Sequence, residues 1–471
     1  MAKSNGPNYG SLAECLTAAA REGRRIKSSV ILTYEFDPTL VESLAASSLL
    51  TFDDEESTDT CVWTGDFPCA LFYDPRCTQL PARLPGNFEI SFWAKGAFSC
   101  HHSKAYAFVF DDGSAELILG SFNLTTSGIS ANRELLMDFE IRKGNAEHLN
   151  LFRQWLQFVQ TELKARAKTS AALNQYVLDL SAVLDSFSDT EQSQENTWLV
   201  PSGYNAYRSG LTFLTDKVKE LGINPTTLLF VSPFLDGPGN SDPVCCKLTA
   251  GFKSIERIIG FTKDQKIPAG LFPKGFERKA KERSLTLYAV NSSVGEAEKA
   301  WLEQYLDRSV EAVDRSLHAK MLLLLDDTRG EGLIYIGSAN FTNKAWGGGN
   351  CELGLLKKIT LSQAPSTPAL RTFVEKLLGV TVTELLTVAA AQTDTDPEDD
   401  GEEAVFPSNL AAVVLKIDHG RSACDKAQES CFFEFQTTDN EVPQGGLFLE
   451  RRKAHFADLG RNKSQPGFFA D

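Results

Sequence analysis

The stretch HSKAYAFVF, His102 to Phe110, and its later counterpart HAKMLLLL, His318 to Leu325, decide how this 471-residue chain is read. In each, a His and a Lys two residues apart lead into an apolar run with the composition of a buried β-strand. Residues i and i+2 of an extended chain share a face, so each pair projects an imidazole and an ammonium in one direction. A His-x-basic pair means little by itself. Six His and 47 basic residues give about 0.6 such pairs by chance, and a third, His419-Gly420-Arg421, has no companions.

The information lies downstream of each pair. After the first come Gly120-Ser121-Phe122-Asn123 and Asn132-Arg133-Glu134-Leu135; after the second come Gly337-Ser338-Ala339-Asn340 and Asn350-Cys351-Glu352-Leu353. Lys to Asn spans 19 residues in one series and 20 in the other, and Asn to Glu spans 11 and 12. Before each pair, a helical segment precedes a buried strand ending in an aromatic and an Asp: VILTYEF before Asp37, LLFVSPFL before Asp236. Each series closes with a strand and an amphipathic helix. Leu149, Phe152, Leu156, Val159 and Leu163 fall on one helical face, as do Leu370, Phe373, Val374, Leu377 and Leu378. This alternation predicts an α/β fold of two repeats, each a mixed sheet flanked by helices, packed face to face.

Two stretches of linker composition set the expected boundaries: Asp185 to Thr197, and Thr393 to Glu403 with its seven carboxylates. The first repeat is then 1–184, a linker 185–197, the second repeat 198–392, an acidic linker 393–403, and a small C-terminal appendage 404–471 of unassigned role. In the appendage, Leu410 to Ile417 and Cys431 to Phe435 read as strands, and QGGLFLERR (444–452) as a turn and a strand.

Composition narrows the class. At 42% apolar and 23% charged residues the chain is ordinary globular protein. No run approaches the roughly 18 apolar residues of a membrane span, and MAKSNGPNYG lacks the layout of a signal peptide, so a cytoplasmic location is expected. The ten cysteines contain no CxxC unit. Cys61, Cys69 and Cys77 recur every eight residues but have no His or fourth thiol beside them, so the thiols read as reduced and neither metal nor cofactor is expected. A net charge of −15 disfavours nucleic acid and anionic lipid on average.

Each half supplies one imidazole, one ammonium and one carboxamide. Brought together, the two sets make a donor-rich site with two groups that exchange protons near neutral pH, which suits phosphoryl transfer. One imidazole attacks phosphorus and the other protonates the leaving oxygen, then activates water. Lys104, Lys320, Asn123 and Asn340 would hold the non-bridging oxygens, with Ser121 and Ser338 in support. Glu134 and Glu352 are suited to accept the far N–H of a histidine; which serves which is open. His101 faces away from Lys104 and is assigned a surface or supporting role, and His148, His419 and His455 read as ordinary surface residues.

At these residues the chain resembles the phospholipase D superfamily, over roughly 30 to 380. The resemblance implies a pseudo-twofold α/β fold with one site between the halves, metal-independent phosphodiester cleavage and a covalent histidine intermediate, with His102 as nucleophile and His318 as general acid. The Asp usual five residues after the Lys is replaced by Val109 and Leu325. That loss, and the motif GSANFTNKAWG (337–347), is similar to the tyrosyl-DNA phosphodiesterase branch, whereas GSFNLTTSG (120–128) is similar to nuclease-type members.

Between Lys253 and Arg283, the residues Lys253, Arg257, Lys263, Lys266, Lys274, Arg278, Lys279, Lys281 and Arg283 outnumber the acids and make a candidate nucleic-acid surface. Trp93, Lys95 and Phe98 would add stacking to charge. The expected partner is nucleic acid, DNA rather than RNA, handled by a nuclease or an end-processing enzyme. The alternatives are a lipid phosphodiesterase and a non-catalytic binding or scaffold subunit. The resemblance also suggests a helicase or ATPase partner; oligomeric state is not encoded legibly.

Overall fold

Short, apolar strands build the two large sheets of the fold, and in both the pleat decides which residues meet which helices. The computed structural model describes residues 24–38, 67–76, 88–92, 99–125, 127–128, 132–187, 196–207, 209–236, 243–263, 283–291, 315–361, 364–388, 410–421, 427–437 and 467–468. These fall in two compact units, Met1–Gln392 and Thr393–Asp471.

In the first unit, β1 (Ile26–Leu32), β2 (Cys69–Tyr73), β3 (Phe88–Phe92), β4 (Ala105–Phe110), β5 (Ala115–Gly120) and β6 (Leu136–Ile141) form a sheet of order β3-β2-β1-β4-β5-β6. Its β1, β2 and β3 are parallel and the remaining pairings antiparallel. The second sheet contains β7 (Thr197–Ser202), β8 (Thr227–Val231), β9 (Arg257–Thr262), β10 (Ser284–Val290), β11 (Met321–Asp326), β12 (Glu331–Gly337), β13 (Glu352–Thr360) and β14 (Val382–Val388). Its order is β14-β10-β9-β8-β11-β12-β13-β7. The run β10-β9-β8-β11-β12-β13 has the order and strand senses of the first sheet, with β14 and β7 added antiparallel at the edges. Both sheets are mixed and flanked by helices, as the alternating pattern predicts.

Helix α1 (Leu149–Phe158) continues through a π-helical turn, Val159–Leu163, and α2 (Ala171–Asp185) is capped by Ser170, whose Oγ accepts the Leu173 N–H at 3.0 Å. Trp155, Phe158, Tyr176 and Leu180 from these helices cover Val30, Leu32, Ala105 and Ala107 of the first sheet. The same core runs on into Leu199 of β7 and Leu353 and Leu355 of β13, so the apolar interior is continuous from one sheet to the other.

In the second sheet, Leu228 and Phe230 of β8 face α3 (Gly210–Glu220) and α4 (Val244–Gly251), while Leu229 and Val231 face α6 (Thr367–Leu378). A single turn, α5 (Asn343–Trp346), packs on the α3 side. One sequence expectation is corrected on α6. Leu370, Val374 and Leu378 are buried, each contributing about 1.5–3 kcal/mol, but Phe373 is 41% exposed and Leu377 only half-buried. The buried stripe follows i, i+4, i+8 and is narrower than five apolar positions suggest.

The second unit has β15 (Leu410–Arg421), β16 (Ala427–Thr437) and β17 (Gly467–Phe468) in an antiparallel sheet of that order. Among the described residues no helix is long and apolar enough to cross a membrane. Trp93, Lys95, Phe98, Lys266, Lys274, Arg278, Lys279, Lys281, Cys61, Cys77, His455 and the QGGLFLERR segment lie outside the described residues.

Candidate active site

His102 and Lys104 sit in the extended segment just before β4, and His318 and Lys320 just before β11. Each Lys turns back on its own motif: Lys104 Nζ donates to the His102 carbonyl at 2.7 Å, and Lys320 Nζ to the His318 carbonyl at 2.5 Å. The segments are tied to the opposite half by backbone. His102 N–H donates to the Cys351 carbonyl at 2.8 Å, and His318 N–H to the Arg133 carbonyl at 2.9 Å. Cys351 N–H and Arg133 N–H return bonds to the Cys100 and Ser316 carbonyls at 2.8 and 2.9 Å.

The Gly-Ser turns follow β5 and β12 and are built alike. Ser121 Oγ accepts the Leu135 N–H at 2.9 Å and donates to Glu134 Oε2 at 2.5 Å. Ser338 Oγ accepts the Leu353 N–H at 2.9 Å and donates to Glu352 Oε2 at 2.5 Å. Glycine is required at the head of each turn because a Cβ on Gly120 would lie 2.5 Å from the Leu135 carbonyl oxygen, and one on Gly337 2.5 Å from the Gly354 Cα. The x position anchors the turn: Phe122 stacks on Tyr106 with centroids 4.7 Å apart, and the Ala339 N–H donates to the Tyr335 hydroxyl at 3.3 Å.

These turns aim each carboxylate at the histidine of the other half. His102 Nδ1 is 2.9 Å from Glu352 Oε2, and His318 Nδ1 is 2.6 Å from Glu134 Oε1. Asn350 and Asn132 support the same carboxylates from Nδ2, at 3.2 and 3.5 Å. With Nδ1–H donating to a carboxylate, the neutral tautomer leaves Nε2 with its lone pair on both rings. The Tyr34 ring lies 5.1 Å from that of His102, and Lys104 Nζ 5.4 Å from the Tyr34 ring.

Burial sets the electrostatics. Lys104, Lys320 and Glu352 are fully buried, while the two imidazoles keep a little exposure. Burial, joined by the Lys320 charge, pushes His318 down to about 4, and burial with the Lys104 charge pushes His102 below its ordinary value. The charges also act across the halves: Lys320 on His102, and Lys104 on His318. Burial pushes Lys320 down to about 7. Burial alone would raise Glu134 and Glu352, but the facing histidine, the serine bond and the lysines outweigh it and hold both carboxylates below their usual range. Asn123 and Asn340 each carry a buried side-chain oxygen with no hydrogen-bond partner. Among the described residues no group of three or more His, Cys, Asp or Glu is placed to hold a metal ion.

Of the surface or supporting role expected for His101, the surface alternative is corrected: the residue is wholly buried, and burial pushes it down to about 3. Its backbone N–H donates to Asp74 at 2.9 Å, and Tyr204, within 3.5 Å of its ring, bonds Ser103 at 2.6 Å. His148 is likewise half-buried, edge-on to Phe139 at 4.8 Å. Of the basic segment, Lys263 stands at the site end of β9, and its charge reaches Lys320. Arg257 stands at the far end of that strand, paired with Asp327 at 3.0 Å, and Lys253 is exposed on the loop before it. Tyr34, Asp74 and Tyr204 carry no motif that sequence reading detects, because they approach the site through the pairing of β1 with β4 and with β2, and through the turn after β7.

No family model and no curated relative matches the chain. Among solved structures it is similar to yeast tyrosyl-DNA phosphodiesterase, at 12% identity over 73% of this chain and 84% of that one with a TM-score of 0.42. It is also similar to polyphosphate kinase from Porphyromonas gingivalis, at 11% identity over 78% of this chain and 47% of that one with a TM-score of 0.36. In the paired His-x-Lys, Gly-Ser-x-Asn and Asn-x-Glu-Leu motifs and the site they build, the chain resembles the phospholipase D superfamily.

Proposed function

We propose that this protein is a phosphodiesterase acting on nucleic acid, DNA rather than RNA, through a phosphohistidine and without a metal ion. The observation that carries the reading is the crossed pairing, Glu352 on His102 and Glu134 on His318. It frees two imidazole nitrogens in one site beside two buried ammonium groups. The matching strand orders support a pseudo-twofold arrangement, with the repeats contributing one set each.

In the first step the His102 Nε2 lone pair attacks phosphorus, the bond to the leaving oxygen breaks, and that oxygen takes a proton from His318. In the second, water attacks phosphorus, gives its proton to His318, and the P–N electron pair returns to His102. His318 must be protonated at the outset, and a bound phosphate anion favours this by offsetting the lysine charge that depresses it. Lys104 and Lys320 balance the charge on the non-bridging oxygens, and the side-chain amide N–H groups of Asn123 and Asn340 are the further donors that would complete their surroundings. Lys263 and the similarity of residues 337–347 to the tyrosyl-DNA branch favour nucleic acid over lipid.

Labelled single- and double-stranded DNA, RNA and phosphatidylcholine, incubated in EDTA, test the reading. Cleavage of DNA by wild type and not by His102→Ala, with an acid-labile, base-stable phosphoprotein formed, is expected. Choline release without nucleic-acid cleavage, or equal cleavage by His102→Ala, overturns it.

A further inference from the structure

Just past β8, Ser232 Oγ donates to the Phe234 carbonyl at 2.7 Å and accepts the Phe341 N–H at 2.9 Å. Leu235 and Phe341 then form a parallel bridge. These bonds pin residues 232–236 beside the residue that follows Asn340, at the rim of the site. Held there, the Phe234 ring is 49% exposed. Lys263, the first residue past β9, sets its Nζ 4.0 Å from that ring's centroid.

The fold does not demand an aromatic at this position. In the first half the same bonds recur: Thr33 Oγ1 donates to the Glu35 carbonyl at 2.6 Å and accepts the Leu124 N–H at 3.1 Å. Phe36 and Leu124 form the matching bridge. Glu35, exposed, therefore stands where Phe234 stands. An aromatic left half in water at one rim, with a cation against it, offers a nucleotide both of the contacts it needs: a flat apolar face for the base and a positive charge for the phosphate.

We propose that Phe234 and Lys263 form a nucleotide subsite, in which a base flanking the scissile phosphate stacks on the open face of Phe234 and the adjoining phosphate meets Lys263. The proposal rests on the nucleic-acid phosphodiesterase reading. It separates this rim from the cutting machinery: the subsite selects and holds single-stranded nucleic acid, and the imidazoles act on whatever diester is held.

The test uses the full chain and two single-stranded oligodeoxynucleotides, one with bases throughout and one with abasic residues flanking the cleaved position. Phe234→Ala should raise KM about 5- to 150-fold on the first and leave KM on the second unchanged; Phe234→Trp should restore wild-type KM. Lys263→Gln should weaken both substrates and flatten the slope of log affinity against log salt by about 0.7. Equal losses by Phe234→Ala on both oligonucleotides, or no loss on either, overturn the subsite while leaving the phosphodiesterase reading intact. A wild-type protein that neither binds nor cuts either oligonucleotide overturns both.

Discussion

His102 Nδ1 lies 2.9 Å from Glu352 Oε2, so the imidazole offered by one sheet is oriented by a carboxylate of the other, 250 residues later. His318 is held by Glu134 in the same crossed manner. Neither half therefore completes its own histidine, and the backbone bonds from His102 to Cys351 and from His318 to Arg133 join the halves at the crossing.

With His102 as the proposed nucleophile and His318 as the proposed acid, the two glutamates support different roles. Glu134→Gln weakens proton delivery by His318, so the single-turnover rate of phosphohistidine formation from a diester with an alkoxide leaving group should fall about 10²- to 10⁴-fold, and much less from a p-nitrophenyl ester, whose leaving group needs no proton. Glu352→Gln weakens the nucleophile and should slow both substrates alike. Single-turnover rates on the two esters check this; equal sensitivity of both variants to the leaving group contradicts it.

The parts of this arrangement visible in the sequence are those with a local signature. The His-x-Lys pairs lead into β4 and β11, the Gly-Ser turns come after β5 and β12, and the continuous apolar run of β8, buried at every residue, needs no tertiary knowledge. The crossing is invisible, because it depends on backbone bridges from His101 to Cys351 and from Arg133 to Leu317 that join the two halves. Phe234 is equally hidden: its neighbours Ser232 and Lys263 come together only when β8 pairs with β9. The burial of His101 escapes sequence reading because alternation gives the face of a side chain and not what covers it.

Acid should weaken the fold in a defined window. Burial holds His101 at about 3 and His318 at about 4, whereas both titrate near 6.5 in the unfolded chain. The unfolded state then binds more protons below pH 6.5. The stabilisation from keeping each ring neutral is complete above 6.5 and is lost as pH falls towards 4 and 3, at about 1.4 kcal/mol per pH unit per histidine. Urea midpoints between pH 6.5 and 4.5 should fall accordingly, and less steeply in His101→Gln. A level midpoint across that range contradicts the assignment.

Lys320 should act in the same direction at higher pH. Burial first, then the charge of Lys104, pushes it down to about 7 from its ordinary value of 10.5, so between pH 7 and 10.5 the folded chain has shed a proton that the unfolded chain keeps. Stability from this group grows as pH rises from 7 to 10.5. Lys320→Met should stabilise the protein by about 1–4 kcal/mol at pH 7, and by less at pH 9, while kcat/KM drops about 10²-fold or more. Urea titrations at both pH values, beside a diester assay, decide it; a destabilised Met variant shows instead that Glu134 and Glu352 need the charge.

Gly337 ties strand packing to chemistry. An added Cβ would meet Gly354 Cα at 2.5 Å and the Leu353 carbonyl oxygen at 2.6 Å, both backbone atoms that cannot swing aside. Gly337→Ala must therefore part β12 from β13, carrying Ser338 away from Glu352 and loosening the carboxylate that orients His102. About 1–3 kcal/mol of destabilisation is expected, with a loss of kcat larger than the unfolded fraction explains. Gly251→Ala, where a Cβ meets nothing within 4 Å at the end of α4, is the control and should be neutral or slightly stabilising. Full activity in Gly337→Ala at matched folded protein would separate the strand spacing from the site.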